Sequence, residues 1–156
     1  MKKRKIIFIS SSGGHFTQLL QLEQLFKRYE YLLITEKNQV VSELSNKYNI
    51  KFLKYSTRKK IFSFPLIFIY NSILSLYYVI VFNPDFIIST GAGATVPMCY
   101  IGKILGKKII FVESYARKSS KSLSGKLIYP ISYLFIVQWD SMLKLYPKAK
   151  CFGPIY

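Results

Sequence analysis

A chain with one histidine and seven carboxylates has few ways to move a proton. The histidine, His15, closes the stretch Ser10-Ser11-Ser12-Gly13-Gly14-His15, directly after the apolar run 6–9. Glu113 follows a second apolar run, 109–112, where a carboxylate serves no packing purpose, and opens Glu113-Ser114-Tyr115-Ala116-Arg117. Between them in sequence lies Thr90-Gly91-Ala92-Gly93-Ala94, a further turn of small residues. A histidine and a carboxylate on neighbouring strand ends suit general-base chemistry or the orientation of a sugar hydroxyl. Small-residue turns leading into helices expose backbone N–H groups that suit an anion or a set of sugar hydroxyls. Plainer readings stay open beside these. His15 satisfies its own loop, Glu113 pairs with Arg117 or Lys118, Gly91 and Gly93 serve helix–strand packing, and Arg117 to Lys121 form a solvated loop. The first turn is neither G-x-G-x-x-G nor a P-loop. Asp85 and Asp140 are the only aspartates, so there is no D-x-D for Mg²⁺ or Mn²⁺, and zinc-ligand spacing is absent. Phosphate chemistry is therefore expected to be metal-free or to lie on another chain.

The elements that hold these residues follow an alternating rhythm. Strand 5–10 feeds the 10–15 loop and a helix over about 16–28, with Phe16, Leu19, Leu20, Leu22 and Leu25 at helical spacing. A strand at 31–35, a helix over 39–48 capped by Asn38 and a strand at 50–55 come next. After residue 84 the pattern resumes with strand 85–89, helix 95–105 stopped by Gly106, strand 108–112, and helix 123–131 shortened by Pro130. Strand 133–138, a short helix 141–146 and a last strand 149–152 finish it. Short βα units of this kind predict one α/β domain over 1–156, a parallel sheet with helices on both faces. Functional groups then gather beyond the carboxyl ends of the strands, where the three clusters lie.

One segment breaks the rhythm. Arg58-Lys59-Lys60 precedes 61–82, a run with no charged residue, with Pro65 suited to a first helical turn and Asn83-Pro84 ending it. A helix over 65–82 would be about 27 Å long, close to the roughly 30 Å of a bilayer core. A spanning helix would split the sheet across the membrane, and a wholly buried core helix is a second possibility. The reading adopted is a helix docked on the sheet, with residues such as Pro65, Phe68 and Ile69 toward lipid and Arg58, Lys59 and Lys60 at the headgroups. Each such cation adds about 1 kcal/mol near an anionic leaflet.

The totals agree with that picture. Lys and Arg number 23 against 7 acidic residues, a formal charge of +16, with pI near 9.8 and a mean hydropathy of +0.21. Such a charge calls for a polyanionic partner: nucleic acid, an anionic membrane or a phosphorylated substrate. A chain this basic and this apolar points to a membrane surface before nucleic acid, for which no reading motif is present. Cys99 and Cys151 read as reduced thiols of a cytosolic protein, and no secretory leader is expected ahead of the 6–9 run.

Ser12-Gly13-Gly14-His15 resembles the glycine–histidine loop in the N-terminal lobe of GT-B glycosyltransferases. Several further stretches resemble one subgroup closely. They are 88–97 (Ile-Ser-Thr-Gly-Ala-Gly-Ala-Thr-Val-Pro), 112–117, Phe135-Ile136-Val137-Gln138-Trp139 and Gly153-Pro154-Ile155-Tyr156. The subgroup is the bacterial capsule and exopolysaccharide proteins similar to the membrane-anchoring subunit of the two-chain dolichol-pathway N-acetylglucosaminyltransferase. The resemblance covers nearly the whole chain and implies a single Rossmann-like lobe, half of a GT-B enzyme. It implies a subunit that holds a polyprenyl-pyrophosphate-linked sugar at the cytoplasmic face of the plasma membrane. It implies further that a small partner subunit binds the UDP-sugar and that no metal or other cofactor is needed. The eukaryotic members carry an N-terminal transmembrane anchor, for which 65–82 would substitute. In an inverting hexosyl transfer, His15 or Glu113 would act as base. Ser12, Gly13, Gly14, Thr90, Gly91, Ala92 and Gly93 would approach the acceptor phosphates or sugar, with Arg117 and Lys118 assisting. Little activity is expected without the partner. Two alternatives remain: a non-catalytic scaffold for lipid and partner, and a basic nucleic-acid-binding module.

Overall fold

The computed structural model describes residues 3–55 and 63–155. Its strands are β1 (Lys5–Ile9), β2 (Glu30–Glu36), β3 (Ile50–Leu53), β4 (Phe86–Ser89), β5 (Lys108–Val112), β6 (Leu134–Val137) and β7 (Lys150–Cys151). They form one sheet in the order β3-β2-β1-β4-β5-β6-β7, every neighbouring pair parallel. Runs such as Ile6-Ile7-Phe8-Ile9 are apolar on both sides because helices cover both faces. The order reverses between β1 and β4, and a crevice opens there beyond the carboxyl ends, where ligands of such sheets bind.

The helices are α1 (Gly14–Leu20), α2 (Glu23–Arg28), α3 (Gln39–Glu43), α4 (Ser63–Phe82), α5 (Val96–Ile104) and α6 (Leu123–Ile128). On one face α1 to α3 bury Phe16, Leu19, Phe26 and Val41 against Phe8 and Leu33. On the other, α4 to α6 bury Val79, Met98, Cys99 and Ile128 against Ile7, Ile87 and Phe111. The expected helix over 16–28 is two helices, with Leu22 N–H bonding Leu19 C=O at the break. The second helix thereby sets Phe26 edge-on to Phe8 and stacked on Tyr31. Asn38 caps α3 as its position predicts, Oδ1 accepting from Val41 N at 2.8 Å. α3 ends earlier than expected in a 3₁₀ turn at Leu44–Asn46. Gly106 takes φ 74° just after α5, the left-handed stop that only glycine adopts at no cost. The helices expected at 123–131 and 141–146 each include 3₁₀ turns, Tyr129–Ile131 around Pro130 and Asp140–Lys144.

α4 is the unusual element. Its 20 residues run about 30 Å and form the crossover from β3 to β4. Only Asn71, Ser75 and Val79 are buried, spaced by four on one stripe. The Asn71 side-chain amide holds the strand exit of β3, donating to Lys54 O at 2.8 Å and accepting from Lys54 N at 2.9 Å. Leu66, Ile69, Tyr70, Ile73, Tyr77, Ile80 and Val81 stand exposed. This excludes the wholly buried core helix. The spanning helix is excluded too, because β4 pairs with β1 in the sheet that also holds β3, so both ends of α4 belong to one side. α4 docks on the sheet through its buried stripe and leaves an apolar side open. Of the residues expected at its lipid side, Pro65, Phe68 and Ile69 are exposed, whereas Arg58, Lys59 and Lys60 lie outside the described residues.

Candidate functional site

A cleft of about 780 Å³ opens beyond the carboxyl ends of β1, β2, β4 and β5. Three segments from the sequence reading meet in it. Ser11, Ser12 and His15 come from the β1 exit, Ala92 and Gly93 from the β4 exit, and Ser114, Ala116 and Arg117 from the β5 exit. Ser122 and Ser124 of the α6 start complete that wall. The opposite wall is the foot of α4, through Phe64, Phe68 and Asn71. A polar strand-end wall thus faces an aromatic one.

His15 lies in the first turn of α1 and not in the preceding loop, because the helix begins at Gly14. Its Nδ1 donates to Thr90 C=O at 2.7 Å, since a carbonyl can only accept. In the neutral ring the other nitrogen, Nε2, then carries the lone pair, which is the tautomer a base requires. Thr90 Oγ1 donates in return to His15 C=O at 2.8 Å, so the two strand exits are stitched to each other. Gly91, at φ 92°, lies so close to the imidazole that a Cβ there would come within 3.1 Å of Cε1. Thr90 and Gly91 are buried beneath the histidine rather than open to the cleft. Ser89 Oγ holds this turn by accepting from Gly91 N at 3.1 Å and donating to Thr95 Oγ1 at 2.9 Å.

The remaining candidates divide. Ser12, Ala92 and Gly93 line the cleft, and the helical run from Gly93 through α5 starts at its wall. Thr95 N–H bonds Ala92 C=O and Val96 N–H bonds Gly93 C=O, so the N–H groups left for a ligand at that start are those of Gly93 and Ala94. Gly13 and Gly14 are exposed and are absent from the lining; Gly13 at φ 77° makes the turn into α1. Arg117 reaches the cleft, with Nη1 3.2 Å from Ser120 Oγ. Lys118 does not, its Nζ sitting 4.4 Å from the centre of the Trp139 ring. Glu113 is buried beneath the wall, where its carboxylate accepts four hydrogen bonds from the chain itself. His15 and Glu113 therefore do not present to one open surface.

Sequence reasoning missed Glu36 and the foot of α4. Glu36 ends β2, is buried and is the carboxylate among the described lining residues. Its signal was available: a carboxylate closing an apolar strand, the same feature that singled out Glu113. Asn71, one of three polar side chains besides the tyrosines in the apolar run 65–82, was likewise visible, but its partner at Lys54 was not.

The family model described as "Oligosaccharide biosynthesis protein Alg14 like" matches residues 6–155. The mouse protein named UDP-N-acetylglucosamine transferase subunit ALG14 is 30% identical over 97% of this chain and 82% of its own length. Its fission-yeast namesake (Schizosaccharomyces pombe) is 32% identical over 97% and 83%. Among solved structures, MurG of Acinetobacter baumannii superposes with a TM-score of 0.74 at 11% identity, covering 88% of this chain and 42% of that one. UDP-N-acetylglucosamine 2-epimerase of Rickettsia bellii gives 0.76 at 13%, covering 98% and 45%. The chain spans less than half the length of these two structures, and at such identity the likeness is one of fold.

Proposed function

We propose a function from one premise: this chain belongs to the Alg14-like family of oligosaccharide biosynthesis proteins, matching its model over residues 6–155. It is the acceptor-binding, membrane-docking subunit of a two-chain inverting glycosyltransferase, and the donor, following the names of its relatives, is UDP-N-acetylglucosamine. The acceptor is a polyprenyl-pyrophosphate-linked sugar, at the cytoplasmic face of the plasma membrane in capsule or exopolysaccharide synthesis. The observation that carries the reading is the two-sided cleft. Its polar wall holds His15 and Arg117, and its aromatic wall belongs to a helix whose outer side is apolar. A lipid-linked phosphosugar has that same division.

The exposed face of α4 supports the docking. Each large aliphatic side chain left in water forgoes about 1.5–3 kcal/mol of burial, and α4 leaves a contiguous series so exposed, with Tyr100, Ile104, Leu123 and Leu127 of α5 and α6 on the same side of the sheet. Cations stand beside it: Lys5 Nζ lies 5.2 Å from the Phe82 ring centre and Lys107 bonds Asn83. An anionic leaflet matches both features.

In the transfer, the acceptor hydroxyl gives its proton to His15 Nε2 as its oxygen bonds the anomeric carbon. The C–O bond to UDP breaks with its electron pair leaving on the phosphate, and the configuration inverts. Arg117 and the N–H groups at the start of the Gly93 helical run counter the acceptor pyrophosphate. The partner holds UDP, and no metal is asked of this chain. In the scaffold reading the His15–Thr90 stitch merely braces the site and all chemistry lies on the partner.

Reconstitution with a small UDP-sugar-binding partner on anionic vesicles tests this. Transfer is expected only with both chains present, and H15A is expected to lower it well over tenfold with assembly intact. Activity within about threefold of wild type would leave the scaffold. Turnover by this chain alone would refute the subunit reading.

A further inference from the structure

Glu113 is 1% exposed, and every bond its carboxylate makes is to a donor of this chain. Oε1 accepts from Ser114 N at 2.9 Å. Oε2 accepts from Tyr146 OH at 2.8 Å, Ser122 Oγ at 3.0 Å and Ser122 N at 3.3 Å. Four donors around a carboxylate that is 1% exposed leave little room for an incoming hydroxyl. The donors bracket one segment. Ser114 begins the loop that carries Arg117 to the cleft, and Ser122 ends it as the cap of α6, accepting from Gly125 N at 2.9 Å. The fit is tight, since a methyl group at Gly125 would collide with Glu113 Oε2 and the Tyr146 hydroxyl. The Glu113 main-chain carbonyl is held as well, accepting from Gln138 Nε2 at 2.8 Å.

We infer that Glu113 is a positioning residue, which clamps the two ends of the 114–122 loop so that Arg117 meets the acceptor phosphates. This rests on the acceptor-binding reading above. Trp139 makes it testable without catalysis. It is the only tryptophan, its Nε1 donates to Tyr115 C=O at 2.8 Å, and its ring sits 5.0 Å from that of Tyr115. Lys118 is fastened beside it, Nζ over the indole and C=O accepting from Ser141 Oγ. The indole therefore reports where the loop is.

Two variants separate positioning from base catalysis. E113Q puts an amide N–H₂ among donors; Y146F removes one of the four bonds and leaves the carboxylate in place. Positioning predicts that both red-shift Trp139 emission and raise its acrylamide quenching about twofold. It also predicts that both raise the acceptor KM about tenfold, the worth of a hydrogen bond to a charged group, with kcat and the pH limbs of kcat nearly unchanged. R117A should match that KM without moving the Trp139 signal. A fall in kcat of about a hundredfold or more for E113Q alone, at unchanged KM and fluorescence, would make Glu113 the base and overturn the inference. Unchanged fluorescence and KM in both variants would overturn it equally. If E113Q does not fold, the milder Y146F decides by the same readings. If the wild-type complex transfers nothing, the functional reading fails, while the Trp139 response of both variants still decides whether Glu113 holds the loop.

Discussion

The helices on the two faces of the sheet differ most at α4. Apart from buried Gln18 and exposed Val40, helices α1 to α3 turn apolar side chains in and polar ones out, as a helix facing water does. α4 turns Asn71 and Ser75 in beside Val79, with Leu74, Tyr78 and Phe82 partly packed, and leaves most of its other aliphatic and aromatic side chains out. Both arrangements stand on the same strands, whose residues alternate between the two cores. What differs is how much of each helix its own sheet covers, and the burial pattern of a helix records that more directly than its composition does.

The comparison can be broken most severely from the closed side. F8A removes a ring with no exposure from the α1–α3 core and should cost about 3–5 kcal/mol in denaturant unfolding. I73A, on the open side of α4, should cost within about 0.5 kcal/mol in vesicle-free solution. Equal losses would mean that Ile73 is packed against protein. Next in size is the membrane itself. Combining I69E, I73E and I80E should lower flotation with anionic vesicles more than about tenfold while leaving the circular dichroism spectrum intact. Flotation at the wild-type level would move the lipid face elsewhere. N71L makes α4 more apolar and yet should destabilise by about 1–3 kcal/mol, because both backbone groups of Lys54 lose their partner. The smallest effect concerns the thiols. Burial pushes Cys99 up to about 12 from an ordinary 9.0. A thiol reagent at neutral pH should label the half-buried Cys151 and reach Cys99 only on unfolding. Because the folded state holds that proton more tightly, the stability Cys99 contributes is complete below about pH 9 and is lost as pH rises toward 12.

Local features of the sequence were legible where local physics decides. β5 runs over Lys108–Val112 as its apolar pattern predicts, and Asn38 and Gly106 mark helix ends where capping and left-handed backbone require them. The order of units and the placing of the three clusters at strand ends follow from the βα rhythm. Partnerships across the chain were not legible. Glu113 meets Tyr146 33 positions away, and His15 meets Thr90 75 positions away. No spacing rule reveals either bond, because the sheet order decides which strand ends adjoin. Hence a carboxylate chosen for its improbable setting sits under the cleft wall, while Glu36, one place past the strand expected at 31–35, lines the cleft.

Both ends of α4 are tied to one sheet, and its foot forms a wall of the cleft. Seated on a bilayer, such a helix makes the domain a caliper: the height of the imidazole above the lipid is set by rigid packing rather than by a flexible tether. On the acceptor-binding reading proposed above, an acceptor anchored in that bilayer would meet the imidazole at one fixed height. Acceptor length would then be gauged by the fold before any sugar is recognised.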